Sequence, residues 1–531
     1  LEKQREDEKG GNRMRKGMIG LLFASLLGIS SVLSGCATEQ TGSKETEEKA
    51  KEGGTLIVAR LSDATTLDPH FITDIPSANV IYEKVYQTLV IPDKNMNPKP
   101  LLAKEWKQLD DVTWEFKLQE GVKFHDGAPF NAEAVKTNFD RILDPATASP
   151  QAGKLEMIKE IKVVDETTVQ FKLKYPYAPL LSILVSNEGS IISPKAIKEN
   201  SDKLAQNPVG TGPFVFKSWK PGEEITLSKN KDYWGDKPKI DGVVFKVVPE
   251  DATRIAMIET GEAHVTDQVP VTEIDRIEAS GTMDLYRTEG LAVEYLSFNV
   301  KKKPFDDVRV RKAVAHAIEV DSIIKGVYND VGTRANSTMS PKVFGYDPDI
   351  KGYDYDINES KKLLTEAGVK DGLEFTLTTS DRKERINMAE VIQSQLKGIG
   401  IKVKIQVLEY GAYIDATAKG EHQVAIGGWG NATGDGDYNQ FNLFNSKSQG
   451  AAGNSSFYSN PEVDKLIENA RKESDGDKRK ELYSKAQAIE REEVPYVPIR
   501  NYEHLAVYGE TVKGLWLNPA NYLMLDDVTV K

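Results

Sequence analysis

A single cysteine, Cys36, stands among 531 residues. One thiol cannot close a disulfide within the chain, and it excludes cysteine-built zinc ribbons and iron–sulfur clusters. Histidine is nearly as scarce: His70, His125, His264, His316, His422 and His504 never fall at metal-ligand spacing from one another, so no metal site is expected. Net positive charge is missing too. The 69 basic and 81 acidic residues leave −12, which recommends neither nucleic acid nor anionic lipid as the main partner. The usual catalytic signatures are absent: no G-x-x-x-x-G-K-[ST] phosphate loop, no H-E-x-x-H helix, no G-x-S-x-G elbow. Gly428-Trp429-Gly430 with Gly434 mimics a dinucleotide loop, but its last glycine comes one residue late, so no cofactor is expected. Asp435 and Asp437 alternate as a carboxylate pair for acid/base work would, and a glycosidase holds its pair about 5 to 9 Å apart. Beside Gly434 and Gly436 they read instead as solvated turn residues. No nucleophile–base pair stands out, and an enzyme is not expected.

Long apolar runs are rare, which makes the one near the start informative. Arg15 and Lys16 precede an uncharged stretch from Gly17 to Gly35, rich in leucine and isoleucine. A basic residue pair followed by such a run reads as a signal peptide; about 18 residues is barely enough to span a bilayer. It ends in Leu33-Ser34-Gly35-Cys36, which resembles the lipobox of bacterial lipoproteins, where the cysteine is acylated and becomes the mature N-terminus. Two acyl chains anchor stably without a basic patch. Residues 36–53 then offer Glu, Lys, Thr, Ser and Gly with no aromatic residue, too little apolar surface to order, and should form a tether. Lys9-Gly10-Gly11-Asn12-Arg13 before Met14 looks like a translated ribosome-binding site, so Met14 is the expected start and residues 1–13 an extension.

The length allows roughly two to four structural units. Thr55 to Ala59 reads as a strand, and Ala78 to Leu89 has helical spacing of its apolar residues. Val112 to Leu118 alternates as a half-buried strand. Asn131 stands as an N-cap before a helix from Ala132 to Ile142. Two short strands surround Asp165-Glu166, and Pro213 to Trp219 with Glu224 to Ser228 form a hairpin about Pro221-Gly222. Helical patterns follow over Val308 to Val327, Asn358 to Ala367, Ile386 to Ile399 and Pro461 to Glu492, with strands at Leu373 to Thr379 and Ile401 to Leu408. The pattern is α/β with antiparallel additions. No Gly/Ser-rich linker divides it, so its domains interleave.

Several stretches, taken in order, carry a resemblance: Gly54-Thr55-Leu56 with Leu67-Asp68-Pro69; Leu102-Ala103-Lys104-Glu105-Trp106; Gly121-Val122-Lys123-Phe124-His125-Asp126-Gly127; Asn207 to Phe214; Tyr233-Trp234; and Pro304 to Ala313. Together they resemble the extracytoplasmic solute-binding proteins that serve peptide and nickel ABC importers. The resemblance implies an α/β, two-lobed periplasmic-binding-protein-like fold with a hinge and an inserted subdomain. Residues 54–84, 206–290 and 502–531 would form lobe I, residues 85–205 the subdomain, and residues 291–501 lobe II. Trp106 and Trp234 read as core anchors.

The resemblance also implies a site. Dipeptide binders of this family carry an aspartate shortly after a Gly-Trp pair, where it meets the peptide's amine. Here Trp429, Gly430, Asn431, Ala432, Thr433 and Asp435 occupy that segment, and Ala432 stands at the aspartate's place. The segment looks more like the glutathione-binding branch. Arg382 and Arg385 lie near the family's carboxylate-clamping arginine, and an arginine fork suits a carboxylate. Gly210, Thr211 and Gly212 are expected to shape the cleft through a turn of unusual dihedrals. The implied partners are a small peptide, glutathione-like or of two to three residues, an ABC permease, and the membrane through lipid on Cys36. The chain would be a monomer on the extracytoplasmic face of the cell membrane, without cofactor. A nickel, metallophore or haem binder of the same fold, a peptide-pheromone receptor and a hydrolase remain alternatives.

Overall fold

The structure is a computed structural model and describes residues 53–369, 372–450 and 453–531. Cys36, the signal sequence and the tether up to residue 52 lie outside the described residues.

Among the described residues one mixed sheet of eleven strands runs through the molecule. From one edge its order is Lys402–Leu408, Glu374–Ser380, Val424–Trp429, Met283–Phe298, Tyr496–Gly509, Val265–Thr266, Thr55–Arg60, Gly242–Val247, Glu224–Lys229 and Phe214–Lys220, with Thr333–Arg334 pairing beside Tyr496–Gly509. Two strands in the middle are unusually long. Met283–Phe298 and Tyr496–Gly509 pair antiparallel along almost their whole length, and their register slips between Glu289 and Val293 and again between Glu294 and Tyr295. Such bulges bend and twist a ladder. On one side of the slips the pair continues into Val265–Thr266, on the other into Val424–Trp429. The two strands therefore cross from one lobe to the other.

Each side of the crossing has its own apolar core. One gathers Leu56, Tyr82, Val243, Phe245 and Leu523; the other gathers Phe298, Phe305, Leu377, Ile392 and Ile426. A third core, with Phe116, Phe139, Phe171 and Leu184, fills a four-stranded antiparallel sheet of Ala103–Asp110, Thr113–Leu118, Thr168–Leu173 and Ile158–Asp165. The fold is thus α/β and two-lobed, with an added subdomain. Trp106 and Trp234 pack against that third core. The helix Ala132–Leu143 starts at Asn131, whose side chain accepts from the Ala134 N–H. The hairpin turns at Gly222, at φ +76°.

Four expectations are corrected in the fold. The helix placed over Ala78 to Leu89 is Ile75–Ile81, capped by Asp74. Beyond it the carbonyls of Lys84 and Val85 accept from Phe214 and Gly212 N–H at 2.9 and 3.0 Å, so they are not free to continue a helix. The same packing explains Gly210 and Gly212. Neither lies in the left-handed region; a Cβ on either would come within 3.0 Å of the Val85 or Lys84 carbonyl. Close approach is the reason for glycine there. The run Val308 to Val327 is two helices, Val308–His316 and Val320–Tyr328, because the Gln395 side chain bonds both the N–H and the carbonyl of Glu319 at the break, each at 3.2 Å. Pro461 to Glu492 likewise divides into Pro461–Lys472 and Gly476–Glu493, the second begun by an Asp475 cap.

In the last of these helices Glu490 is buried, and only Gln440 donates to it, at 3.1 Å. Its second oxygen has no partner. Burial pushes its pKa from 4.5 up to about 8, against the Gln440 bond. The unfolded chain gives up this proton earlier than the folded one, so stability falls as pH rises through that interval. Urea unfolding at pH 5 and pH 8 should show this loss in the wild type and not in Glu490→Gln. The gap at pH 8 is expected on the order of 1 to 3 kcal/mol.

Candidate functional site

The register slips put two opposite charges where the long strands cross. Glu294 interrupts an apolar run on one strand and Arg500 on the other. Both are buried, which a charge tolerates only when paired. Arg500 donates from Nε to Glu294 Oε2 at 3.1 Å, and its Nη2 lies 3.0 Å from the same oxygen. Its Nη1 donates to the Val331 carbonyl, and its guanidinium lies 3.6 Å over the Tyr328 ring. A second buried arginine, Arg385, reaches the same carboxylate, with Nε 3.5 Å from Oε1. One carboxylate between two guanidiniums leaves a positive charge over. This cluster opens into a cavity of about 310 Å³. Asp267, Asn521 and His504 line it from the other lobe. Burial holds His504 down at about 4, so it is neutral at pH 7. Glu503 is occupied by Arg287 at 2.9 and 3.0 Å. Arg382 is exposed at the cavity's rim, 4.9 Å over the Tyr410 ring.

The strand Val424–Trp429 brings the Gly-Trp segment to the same place. Gly428 pairs with Glu294 in register, and a Cβ on it would stand 3.0 Å from Arg385 Nη2. Glycine there leaves room for the guanidinium. Trp429 donates from Nε1 to the Tyr438 carbonyl at 3.1 Å, and Gly430 is exposed. Asn431 then ties the loop: its Oδ1 accepts from the Thr433 and Gly434 N–H at 2.9 and 2.8 Å. Its Nδ2 donates to the Asp435 carbonyl at 2.7 Å. Ala432 and Thr433 line a second cavity of about 260 Å³ against the subdomain. There Lys154 pairs with Glu188, Arg471 Nε lies 2.9 Å from Asp437, and the Tyr177 hydroxyl donates to Asp437 at 2.9 Å. Burial raises the Asp437 pKa, and Arg471 opposes it.

Asp435 and Asp437 are therefore not solvated turn residues. Both are buried. Asp435 caps the helix Gly436–Phe444 and takes Arg479 on both oxygens, at 2.7 and 2.6 Å. A GDGD string looks like a turn because its partners, Arg471 and Arg479, sit on the distant helix pair.

The sequence-derived residues thus divide. Arg385, Trp429 and Gly430 converge on the crossing, with Arg382 at its rim, while Ala432 and Thr433 face the neighbouring cavity. Asn431 and Asp435 hold the loop. Gly210, Thr211 and Gly212 sit apart, packed on residues 84–87, where Thr211 donates to Gln87 at 3.0 Å. Sequence reading missed Glu294, Arg500, Asp267 and Asn521. The signal for the first two was a lone charge inside an apolar strand, Leu291 to Phe298 and Tyr496 to Arg500. Among the described residues no three His, Cys, Asp or Glu side chains group as metal ligands, and no helix is long and apolar enough to cross a membrane.

Residues 97–451 match the family described as bacterial extracellular solute-binding proteins, family 5 middle. The glutathione-binding protein GsiB of Escherichia coli (strain K12) is 31% identical over 485 residues, covering 90% of this chain and 94% of the relative. Among solved structures, DppA from Helicobacter pylori in complex with the peptide STSA is 33% identical with a TM-score of 0.75, covering 90% of this chain and 98% of that one. HbpA2 from Haemophilus parasuis superposes with a TM-score of 0.84 at 27% identity, over 90% of this chain and all of that one. A dipeptide binding protein from Pseudoalteromonas sp. SM9913 in complex with Met-Leu follows at 28% and 0.76, with 90% and 100% coverage.

Asp435→Asn leaves Arg479 buried without its counter-charge. Urea denaturation should report a loss of about 3 to 5 kcal/mol.

Proposed function

The chain belongs to the bacterial extracellular solute-binding proteins of family 5, and on that premise we propose that its cargo is a small peptide with free carboxylates, glutathione or a di- or tripeptide. As a family member it is the extracytoplasmic binding component of an ABC importer and not an enzyme.

The observation that carries the choice of cargo is the unequal cluster of Arg385, Arg500 and Glu294. Its spare positive charge faces a cavity of about 310 Å³, within the volume that small-ligand pockets occupy. A ligand carboxylate balances it and gains charge-assisted hydrogen bonds in a partly dehydrated site. Exposed Arg382 at the rim supplies a second cation, which suits a ligand with two carboxylates. Glutathione has that second carboxylate and an ordinary dipeptide does not; at Ala432 a methyl cannot neutralise the ammonium that both carry, and the nearby acids already have partners: Glu188 holds Lys154, and Asp437 holds Arg471. Trp429, paired with Val293 next to Glu294, borders the ligand. The protein works as a monomer, held to the membrane by lipid on Cys36, and hands its cargo to a permease.

Thermal unfolding of residues 53–531 with glutathione, dipeptides, tripeptides and nickel is the direct test. A ligand at 100 times its Kd adds about 2.7 kcal/mol. Glutathione should raise Tm, and stabilisation by nickel alone overturns the reading. Arg385→Ala keeps Glu294 paired through Arg500, and titration calorimetry should find affinity weakened by about 1 to 3 kcal/mol. For the anchor, wild-type protein expressed in bacteria fed labelled palmitate should carry label in the membrane fraction. Cys36→Ala should carry none.

A further inference from the structure

We propose that Asp267, with Asn521 beside it, receives the ammonium group of the bound peptide. This rests on the small-peptide reading and adds the half of the ligand which that reading leaves without a partner.

Asp267 directly follows the short strand Val265–Thr266, whose residues are buried and paired to Val58, Val507 and Tyr508. Its backbone is therefore fixed at the wall of the crossing cavity, on the lobe opposite Arg385. Asn79 Nδ2 donates both to Asp267 Oδ2, at 3.0 Å, and to the Asn521 carbonyl, at 3.1 Å. Asn79 Oδ1 in turn accepts from Leu523 N–H at 2.7 Å. One amide thus holds the two residues side by side. Each keeps an acceptor in reserve: Asp267 Oδ1 and Asn521 Oδ1 are buried and have no hydrogen-bond partner, and both residues line the cavity. Unpaired acceptors on two residues tied together by one amide, one of them anionic, match a donor-only cation such as an ammonium.

None of the buried cations of this lobe claims the free oxygen: Arg254 donates to the Val248, Pro249 and Gln268 carbonyls and to Asp251. Arg60 donates to the Pro76 carbonyl and Lys84 to that of Tyr82, although both feel Asp267 through space. Across the cavity stand Arg385 and Arg500 with Glu294 between them. A zwitterionic peptide laid across the crossing then meets an acid on one lobe and a surplus arginine on the other. The acid missing at Ala432 is supplied from the opposite wall.

The test is titration calorimetry of the full chain with glutathione and Ala-Ala, each with its amine free and acetylated. Wild type should bind the free-amine form at least 30-fold more tightly. Asp267→Asn should weaken that form at least 10-fold and leave the acetylated form unchanged. Asn521→Gly, at a φ of +69° that glycine adopts without strain, should give the same selective loss, smaller in size, and serves if Asp267→Asn does not fold. Equal binding of free and blocked peptides by wild type overturns the proposal. So does a loss in the variants shared by both forms, or no loss at all. If wild type binds none of the four peptides, the small-peptide reading falls as well, which separates the two failures.

Discussion

Everything at the cleft depends on how one carboxylate is shared. Glu294 is buried at the one place where both long strands pass between lobes, and its charge has to be met there. Arg500, on the partner strand, meets it across a separation of 206 residues in sequence. Arg385 meets it from the helix Lys383–Lys397. Because two arginines answer one acid, the site is stable without ligand and still electrically incomplete. A fully balanced pair offers an anion little, and an unshielded arginine is expensive to bury. The arrangement lies between those limits, which suits reversible capture.

The second set of buried charges has a different task. Asp435 and Asp437 bind Arg479 and Arg471, and through Tyr177 and Ser182 they also reach the subdomain. The Ala178 N–H donates to the Arg471 carbonyl at 2.8 Å. Aspartates that resembled a turn are thus part of the contact between the subdomain and the lobe facing it. Their position two and four residues beyond Thr433 couples that contact to the loop lining the second cavity.

How much of this was legible follows from the range of the interactions. The Asn131 cap, the Pro221-Gly222 hairpin and the strands about Asp165-Glu166 rest on neighbours in sequence, and they were readable. The helix over Ala78 to Leu89 was misread because its carbonyls are taken by residues 212 and 214. The break at Ala317 to Glu319 depends on Gln395. At the site, the Gly-Trp loop and Arg385 were found through resemblance, since a motif preserves local order. Glu294 and Arg500 belong to no motif. Their meaning appears only when two strands from distant parts of the chain are laid side by side. Asp267 and Asn521 are harder still, because what marks them is an unused oxygen.

The slipped register of the crossing strands has a mechanical consequence. A joint made of two long strands, with the short strand Thr333–Arg334 paired beside Arg500, is soft about the axis on which they twist, and Glu294 and Arg500 lie on that axis. Force applied close to an axis has a short arm, so a sub-ångström adjustment of Glu294 or Arg500 swings the distant rims of the lobes through a far larger arc. A cargo seated on these few atoms, as proposed, would thereby alter the spacing of the outer surfaces that a permease reads.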